Sequence, residues 1–242
     1  MMDADGGAAQ ALRPRFYGRR AGRSLRPGRQ ALVAEHLPQV SVACPPSGAL
    51  LDPRQLFPSL AEVWLEIGCG AGEHLSAHAV ARRDVGFIAC EPYINGVAAL
   101  LARMHRLGLD DQVRVHADDA RPFIACLSGA SIDRVFVLFA DPWPKRRHHR
   151  RRFVQPDSVH LIAHILKPGG EFLFASDHMD YIRWTIATAL DHPELEWCAE
   201  DADDWRCPPA DWAGTRYEQK ALKRGGRCAY LRFRKVGGEL YD

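Results

Sequence analysis

The chain has 242 residues, 47% of them hydrophobic and 26% charged, with a net charge of +2. That length buries a real core, and the balance matches ordinary globular usage, so any basic surface must come from uneven placement of charge. No apolar run approaches the about 18 residues a membrane span needs, and MMDADGGAAQ at the start carries two acids and no apolar stretch, so no secretory signal is expected.

Residues 1–30 form a separate regime, expected to be a basic, flexible arm ahead of one domain spanning 31–242. Ala11 to Arg29 holds seven arginines and no acid, with no helical or strand period. From Val63 the pattern turns regular. VWLEI is a short apolar run closed by GCGAG, and EHLSAHAVARR reads as a helix. GFIACE is a second strand, followed by a helical GVAALLARMHRLG. VRVHADDA is a third strand with a loop behind it, and IDRVFVLFAD is the longest apolar run. DSVHLIAHILKPGG reads as a helix stopped by Pro and Gly, EFLFASD as a fifth strand, and MDYIRWTIATAL as another helix. GRCAYLRFRK alternates like an edge strand. Strands alternating with helices predict an α/β, doubly wound parallel sheet. Seven cysteines, at 44, 69, 90, 126, 198, 207 and 228, show no CxxC and no zinc-ligand spacing. Reduced thiols, no disulfide framework and no metal are expected.

EIGCGAG, Glu66 to Gly72, follows the first strand and opens the first helix. Gly68, Gly70 and Gly72 permit a tight turn and close backbone approach to a ligand. Glu91 ends the second strand, where an acid accepts hydrogen bonds from the two ribose hydroxyls of a nucleoside. Dinucleotide dehydrogenases share that logic, but their loop is GxGxxG, and a carboxylate at Glu66 is a poor neighbour for a pyrophosphate. It suits the amino-bearing methionine part of S-adenosyl-L-methionine better. Asp118, in HADDA, stands where an adenine amino group could be bound; Asp119 is its rival, or a helix N-cap before Ala120.

Asp141 follows VFVLFA, at the carboxyl end of the fourth strand, where ligands bind in open α/β sheets. Pro142 and Pro144 fix φ on either side of Trp143. A stiff acid there is a candidate for gripping a substrate base. Lys145 to Arg152 follows with six Lys/Arg, two His and no acid. Such runs are usually solvated faces. Behind a site-forming loop, crowded cations repel one another unless an anion is present, and phosphate neutralisation is the simplest use. His148 and His149 have no Cys or acid close by to complete a metal site.

Taken together, RRAGRSLRPGRQ, EIGCGAGEHL, EPYINGVAALL, DDA, DPWPKRRHHRRRFVQPD, LKPGGEFLFASDHMDY and TRYEQKALKRGGR resemble the bacterial tRNA (guanine-N7-)-methyltransferase family. The likeness runs from about residue 15 to 235. It implies a class I, Rossmann-like methyltransferase sheet, mostly parallel with an antiparallel C-terminal strand. It implies methyl transfer from S-adenosyl-L-methionine to N7 of a guanine in the tRNA variable loop, in the cytoplasm, without metal or membrane. By the family pattern Glu66, Gly68, Glu91, Asp118 and Asp141 match cofactor-side positions, and Asp141 also matches the catalytic acid. Lys145, Asp177, Thr215, Arg216, Tyr217 and Glu218 match substrate positions. Arg147, His148, His149, Arg150, Arg151 and Arg152 match the RNA-contacting run. Cys69 stands where a bulky aromatic is common, Ala140 where a proline is usual, and Tyr217 where Phe is commoner. The alternative enzyme is an amino-methyltransferase acting on adenine or cytosine, whose acid or Asn precedes Pro-Pro-aromatic; DPWP exchanges the last two. A nucleic-acid-binding module with a vestigial cofactor fold is the non-enzymatic alternative. Oligomeric state is left open.

Overall fold

The computed structural model describes residues 16–46 and 48–237. Seven strands among them make one sheet: β1 Glu62–Ile67, β2 Val85–Cys90, β3 Val113–His116, β4 Ile132–Leu138, β5 Leu166–Ser176, β6 Leu195–Trp197 and β7 Ala229–Lys235. Their order is β3-β2-β1-β4-β5-β7-β6. β1 to β5 pair in parallel, and β7 runs antiparallel to both β5 and β6. The doubly wound reading and the antiparallel C-terminal strand both hold. β6 escaped the sequence reading, because three residues, Leu-Glu-Trp, carry no period.

The helices in chain order are α1 Pro27–Ala31, α2 Leu37–Val40, α3 Glu73–Ala81, α4 Ile94–Leu107, α5 Ala120–Ile124, α6 Pro156–Ile165, α7 Met179–Leu190, α8 Asp203–Arg206 and α9 Arg216–Lys223. α4 shows why they form. Val97, Leu100, Leu101 and Met104 repeat at helical spacing and are buried, and Gly108 ends the helix in the left-handed region at φ 63°. α6 stops at Ile165, and β5 begins earlier than the EFLFASD run. Within β5, KPGG forms an irregularity: Ile132 pairs with Leu166, yet Arg134 pairs with Glu171.

Alternation along the strands splits the core into two layers. Val63, Leu65 and Ile67 face Phe123, Ile162 and Ile182 on the side of α5, α6 and α7. Trp64, Phe87 and Phe136 face Leu75, Leu101 and Ala221 on the side of α3, α4 and α9. Among the described residues no helix is long and apolar enough to cross a membrane.

One expectation is corrected. Cys44 and Cys126 are joined by a disulfide, their Cα atoms 5.8 Å apart across 82 residues of sequence. Val42 N donates to Val115 O at 3.0 Å and Leu51 N to Cys126 O at 2.8 Å, so the connector runs along the β3 edge and over the end of α5. Linear spacing carries no sign of that pairing. The other five cysteines are free.

Candidate active site

Strand order reverses between β1 and β4, and a crevice opens beyond the carboxyl ends of the strands there, as expected for an open α/β sheet. Its cavity measures about 460 Å³. Ile67, Gly68 and Gly70 line it after β1, Glu91 after β2, Asp119 to Arg121 after β3, and Leu138 to Asp141 after β4. Gly68, Gly70 and Gly72 all lie at positive φ, 74°, 58° and 70°, which L side chains rarely adopt. A Cβ on Gly96 would stand 3.0 Å from the Gly70 carbonyl and 3.1 Å from Glu91 Cγ, so α4 reaches the loop only with glycine there. The sequence reading missed Gly96.

Glu91 is nearly buried and ties the loop together: one oxygen accepts Gly70 N at 2.7 Å, the other accepts Tyr93 N at 2.9 Å. Burial raises its carboxyl above the ordinary range, and the two backbone bonds oppose that only in part. The charges of Arg216 and Asp141 also act on it, since all three share the cavity.

Glu66 does not line the cavity. It is still inside β1 and, two residues on from Trp64, shares that residue's face. Its buried carboxylate meets His74 Nδ1 at 2.8 Å, and His74 Nε2 lies 3.2 Å from His78 Nε2. Burial first, then His74, depress His78 to about 4, so it stays neutral. Asp118 is also outside the lining. It pairs with Arg20 Nη1 at 2.6 Å. Burial opposes ionisation of Asp118, but Asp119 N and Arg20 outweigh it and hold the carboxyl low. Asp119 caps α5, accepting Arg121 N at 3.2 Å, and does line the cavity.

Asp141 is exposed to the cavity, and no described residue hydrogen-bonds its carboxylate. The backbone around it is unusual: Phe139 and Trp143 lie at φ 51° and 44°, neither being glycine. Such conformations cost about 1–3 kcal/mol each and gather at functional sites.

The basic run divides. Arg146–Arg151 is a short 3-10 turn, with Lys145, Arg146, Arg147 and Arg150 exposed. Arg151 lies between the rings of Tyr17 and Trp143, at 5.0 and 4.9 Å, at the cavity wall. Partial desolvation, then the charges of Arg151, Arg147, Lys145 and Arg150, lower His148 below the ordinary histidine range. His149 sits against Trp184 and 3.5 Å from Asp180. Arg152 is fully buried. Asp177 is exposed just past β5, outside the lining.

In TRYE, only Arg216 and Tyr217 reach the cavity. Thr215 and Glu218 form a capping box: Thr215 Oγ1 accepts Glu218 N at 3.0 Å, and Glu218 Oε2 accepts Thr215 N at 3.1 Å. Glu218 further accepts from Trp212 Nε1 and Tyr230 Oη. The T-x-x-E spacing was a readable signal for that cap.

Phe16, Tyr17, Gly18 and Arg19 also line the cavity. Arg20 O accepts Ile94 N at 2.9 Å, and the Asn95 side chain bonds both Gly22 N (2.9 Å) and Arg23 O (2.7 Å). Residues 1–15 of the arm lie outside the described residues. The adjacent aromatics in RPRFYGRR were the available sign of this contact. Among the described residues no group of three or more His, Cys, Asp or Glu is placed to hold a metal.

A family model described as a putative methyltransferase matches residues 61–231. The chain is 46% identical over 224 residues to the tRNA (guanine-N(7)-)-methyltransferase of Rhodospirillum rubrum, covering 91% of this chain and 88% of that one. It is 47% identical to the enzyme of the same name from Rhodopseudomonas palustris, covering 98% and 95%. Among solved structures it superposes on the 16S rRNA methyltransferase KamB with a TM-score of 0.51 at 16% identity, covering 76% of this chain and 92% of that one. That likeness shows a shared fold. With its cavity at the strand-order reversal and its relatives matched almost end to end, this chain belongs to the tRNA (guanine-N(7)-)-methyltransferase family.

Proposed function

We propose that this cavity transfers the methyl group of S-adenosyl-L-methionine to N7 of a guanine in the variable loop of tRNA, in the cytoplasm. The observation that carries the reading is Asp141: a carboxylate with no hydrogen-bond partner among the described residues, at the strand-order reversal, sharing one cavity with Glu91 and the glycine loop. The donor set fits the cofactor, since the cavity volume is in the range of ligand pockets, the loop presents backbone to the cavity at two left-handed glycines, Gly68 and Gly70, and Glu91, just past β2, is available to accept from ribose hydroxyls. When bound it supplies a methyl already activated on a sulfonium sulfur.

Guanine N7 carries an in-plane lone pair and no proton, so the attacking atom needs no general base. The chain has to align N7 with the methyl and offset the positive charge arriving on the imidazole ring of guanine. Asp141 accepts hydrogen bonds from the Watson–Crick edge and supplies the opposing charge. Glu91 accepts from the ribose hydroxyls. Arg216 and Tyr217, presented by the first turn of α9, face the same cavity. Lys145, Arg146, Arg147 and Arg150 point outward, where tRNA phosphates are neutralised. Those interactions offset the few kcal/mol that exposing a buried base costs.

Labelled cofactor incubated with unmodified tRNA, followed by nucleoside mapping, is expected to place the label in 7-methylguanosine of the variable loop. Label in N6-methyladenosine or a methylated cytosine amine would establish the amino-methyltransferase alternative instead. A second expected result concerns pH. Because the Glu91 carboxyl is raised, it protonates as pH falls before an ordinary glutamate near 4.3 does. Cofactor affinity, measured by calorimetry, should be level at neutral pH and fall in acid with a midpoint above that value. Glu91→Gln should weaken binding about 10-fold or more and remove the pH dependence. An unchanged acid limb in the variant would assign it to another group.

A further inference from the structure

The last cation of the basic run behaves unlike the others. Arg152 is completely buried, while Arg147 and Arg150 are exposed. Its Nε donates to the Pro142 carbonyl at 2.9 Å. Its Nη2 donates to Asp180 Oδ2 on α7 and meets His149 Nε2 at 3.1 Å. The guanidinium lies over the rings of Tyr181 and Trp184, 4.9 and 5.3 Å from their centroids. Those rings are themselves held: Tyr181 Oη accepts Val154 N at 3.1 Å, and Trp184 Nε1 donates to Val154 O at 2.8 Å. The hydrogen bond from Arg152 is the main reason the Asp180 carboxyl lies below its ordinary range, so the pair is ionised at neutral pH.

Pro142 directly follows Asp141, in a loop whose flanking residues Phe139 and Trp143 both occupy the left-handed region. A backbone in that state persists only where its surroundings hold it. The ladder holds one side, since Phe139 N donates to Ala175 O at 2.7 Å. On the other side the Pro142 carbonyl is anchored by Arg152. We propose that Arg152 is a positioning residue for Asp141: it fixes the backbone one residue beyond the acid against α7 and takes no part in gripping RNA. A planar fork is required, because one group must reach a carbonyl and a carboxylate while standing over two rings. This inference rests on the role of Asp141 given above.

The test separates turnover from binding. Arg152→Gln and Asp180→Ala are assayed for kcat at saturating tRNA, for tRNA Kd, and for the slope of log Kd against log salt, below the melting temperature of each variant. Arg150→Ala serves as the reference for removing one phosphate-neutralising cation, with weaker Kd and a slope flatter by about one. Arg152→Gln is expected to lower kcat about 10- to 100-fold, as a misplaced catalytic group does, with Kd and slope like those of the unaltered protein. Asp180→Ala, which removes the carboxylate partner of buried Arg152 and therefore lowers the melting temperature, should lower kcat in the same direction by about 3- to 10-fold when assayed below that temperature. A flattened salt slope in Arg152→Gln, or unaltered kcat in Asp180→Ala, overturns the proposal. If Arg152→Gln does not fold, Asp180→Ala decides alone. Asp141→Ala runs alongside: if it keeps turnover, the reading of the site itself fails, whereas an inactive Asp141→Ala beside fully active Arg152→Gln and Asp180→Ala removes the inference alone.

Discussion

Asp141→Ala is expected to cut methyl transfer to tRNA by about 10²- to 10³-fold, or about 3–4 kcal/mol of transition-state stabilisation. The carboxylate has no protein partner among the described residues, so its removal breaks no structural bond. The melting temperature should therefore stay close to that of the unaltered protein, and the loss should lie in kcat. Asp141→Asn sharpens the point. Asparagine keeps one acceptor, but it loses the charge and turns a donor toward a guanine edge that is itself all donor at N1 and N2. Its turnover should fall nearly as far as that of alanine. If Asn retains near-normal turnover, charge at this position is irrelevant, and neither orientation with charge compensation nor removal of the N1 proton by Asp141 survives.

The second large effect is on binding. Replacing Arg147 and Arg150 together with alanine removes two exposed cations of the turn that follows the Asp141 loop. The slope of log Kd for tRNA against log salt should flatten by about two, near one for each phosphate left unneutralised. At physiological salt the affinity should fall by about 10-fold or more. Fluorescence titrations across a salt series read both quantities. A slope equal to that of the unaltered protein would detach the basic turn from RNA binding and leave its clustered charge unexplained. Asp141 and the arginine pair thus have opposite signatures, one in turnover and one in salt-dependent affinity.

Both residue sets stand in one short stretch, DPWPKRRHHRRR, and the stretch does not announce how it divides. In sequence, Arg147, Arg150 and Arg152 are three equivalent cations. Folding turns Arg152 inward against Tyr181 and Trp184, residues about thirty positions later. Burial of an arginine depends on what packs above it, and nothing local to the run encodes α7. Glu66 and Glu91 make the same contrast. Each ends or nearly ends an apolar strand before a loop, and they look interchangeable as cofactor acids. Glu66 is one residue inside its strand, on the face that α3 covers, so His74 takes its carboxylate; Glu91 lies just past its strand and opens into the cavity. Strand parity was legible, but which helix covers which face was not.

By itself the sequence determined the alternation of apolar strands and amphipathic helices, the glycine loop after the first strand, and the acid at the end of the fourth. These are local: a period, a backbone conformation that suits glycine, a break in hydrophobicity. They suffice for a doubly wound sheet and for placing Asp141 and Glu91 at its carboxyl edge. Tertiary structure alone decided the rest. It brought Phe16 and Tyr17 of the arm to the cavity wall, joined Cys44 to Cys126, and set Glu218 to capping α9 while Arg216 and Tyr217 reached the site. Each of those outcomes depends on partners tens of residues away in the chain. Long-range packing selects them by burying apolar surface and satisfying buried polar groups together, and that choice is written in no single segment.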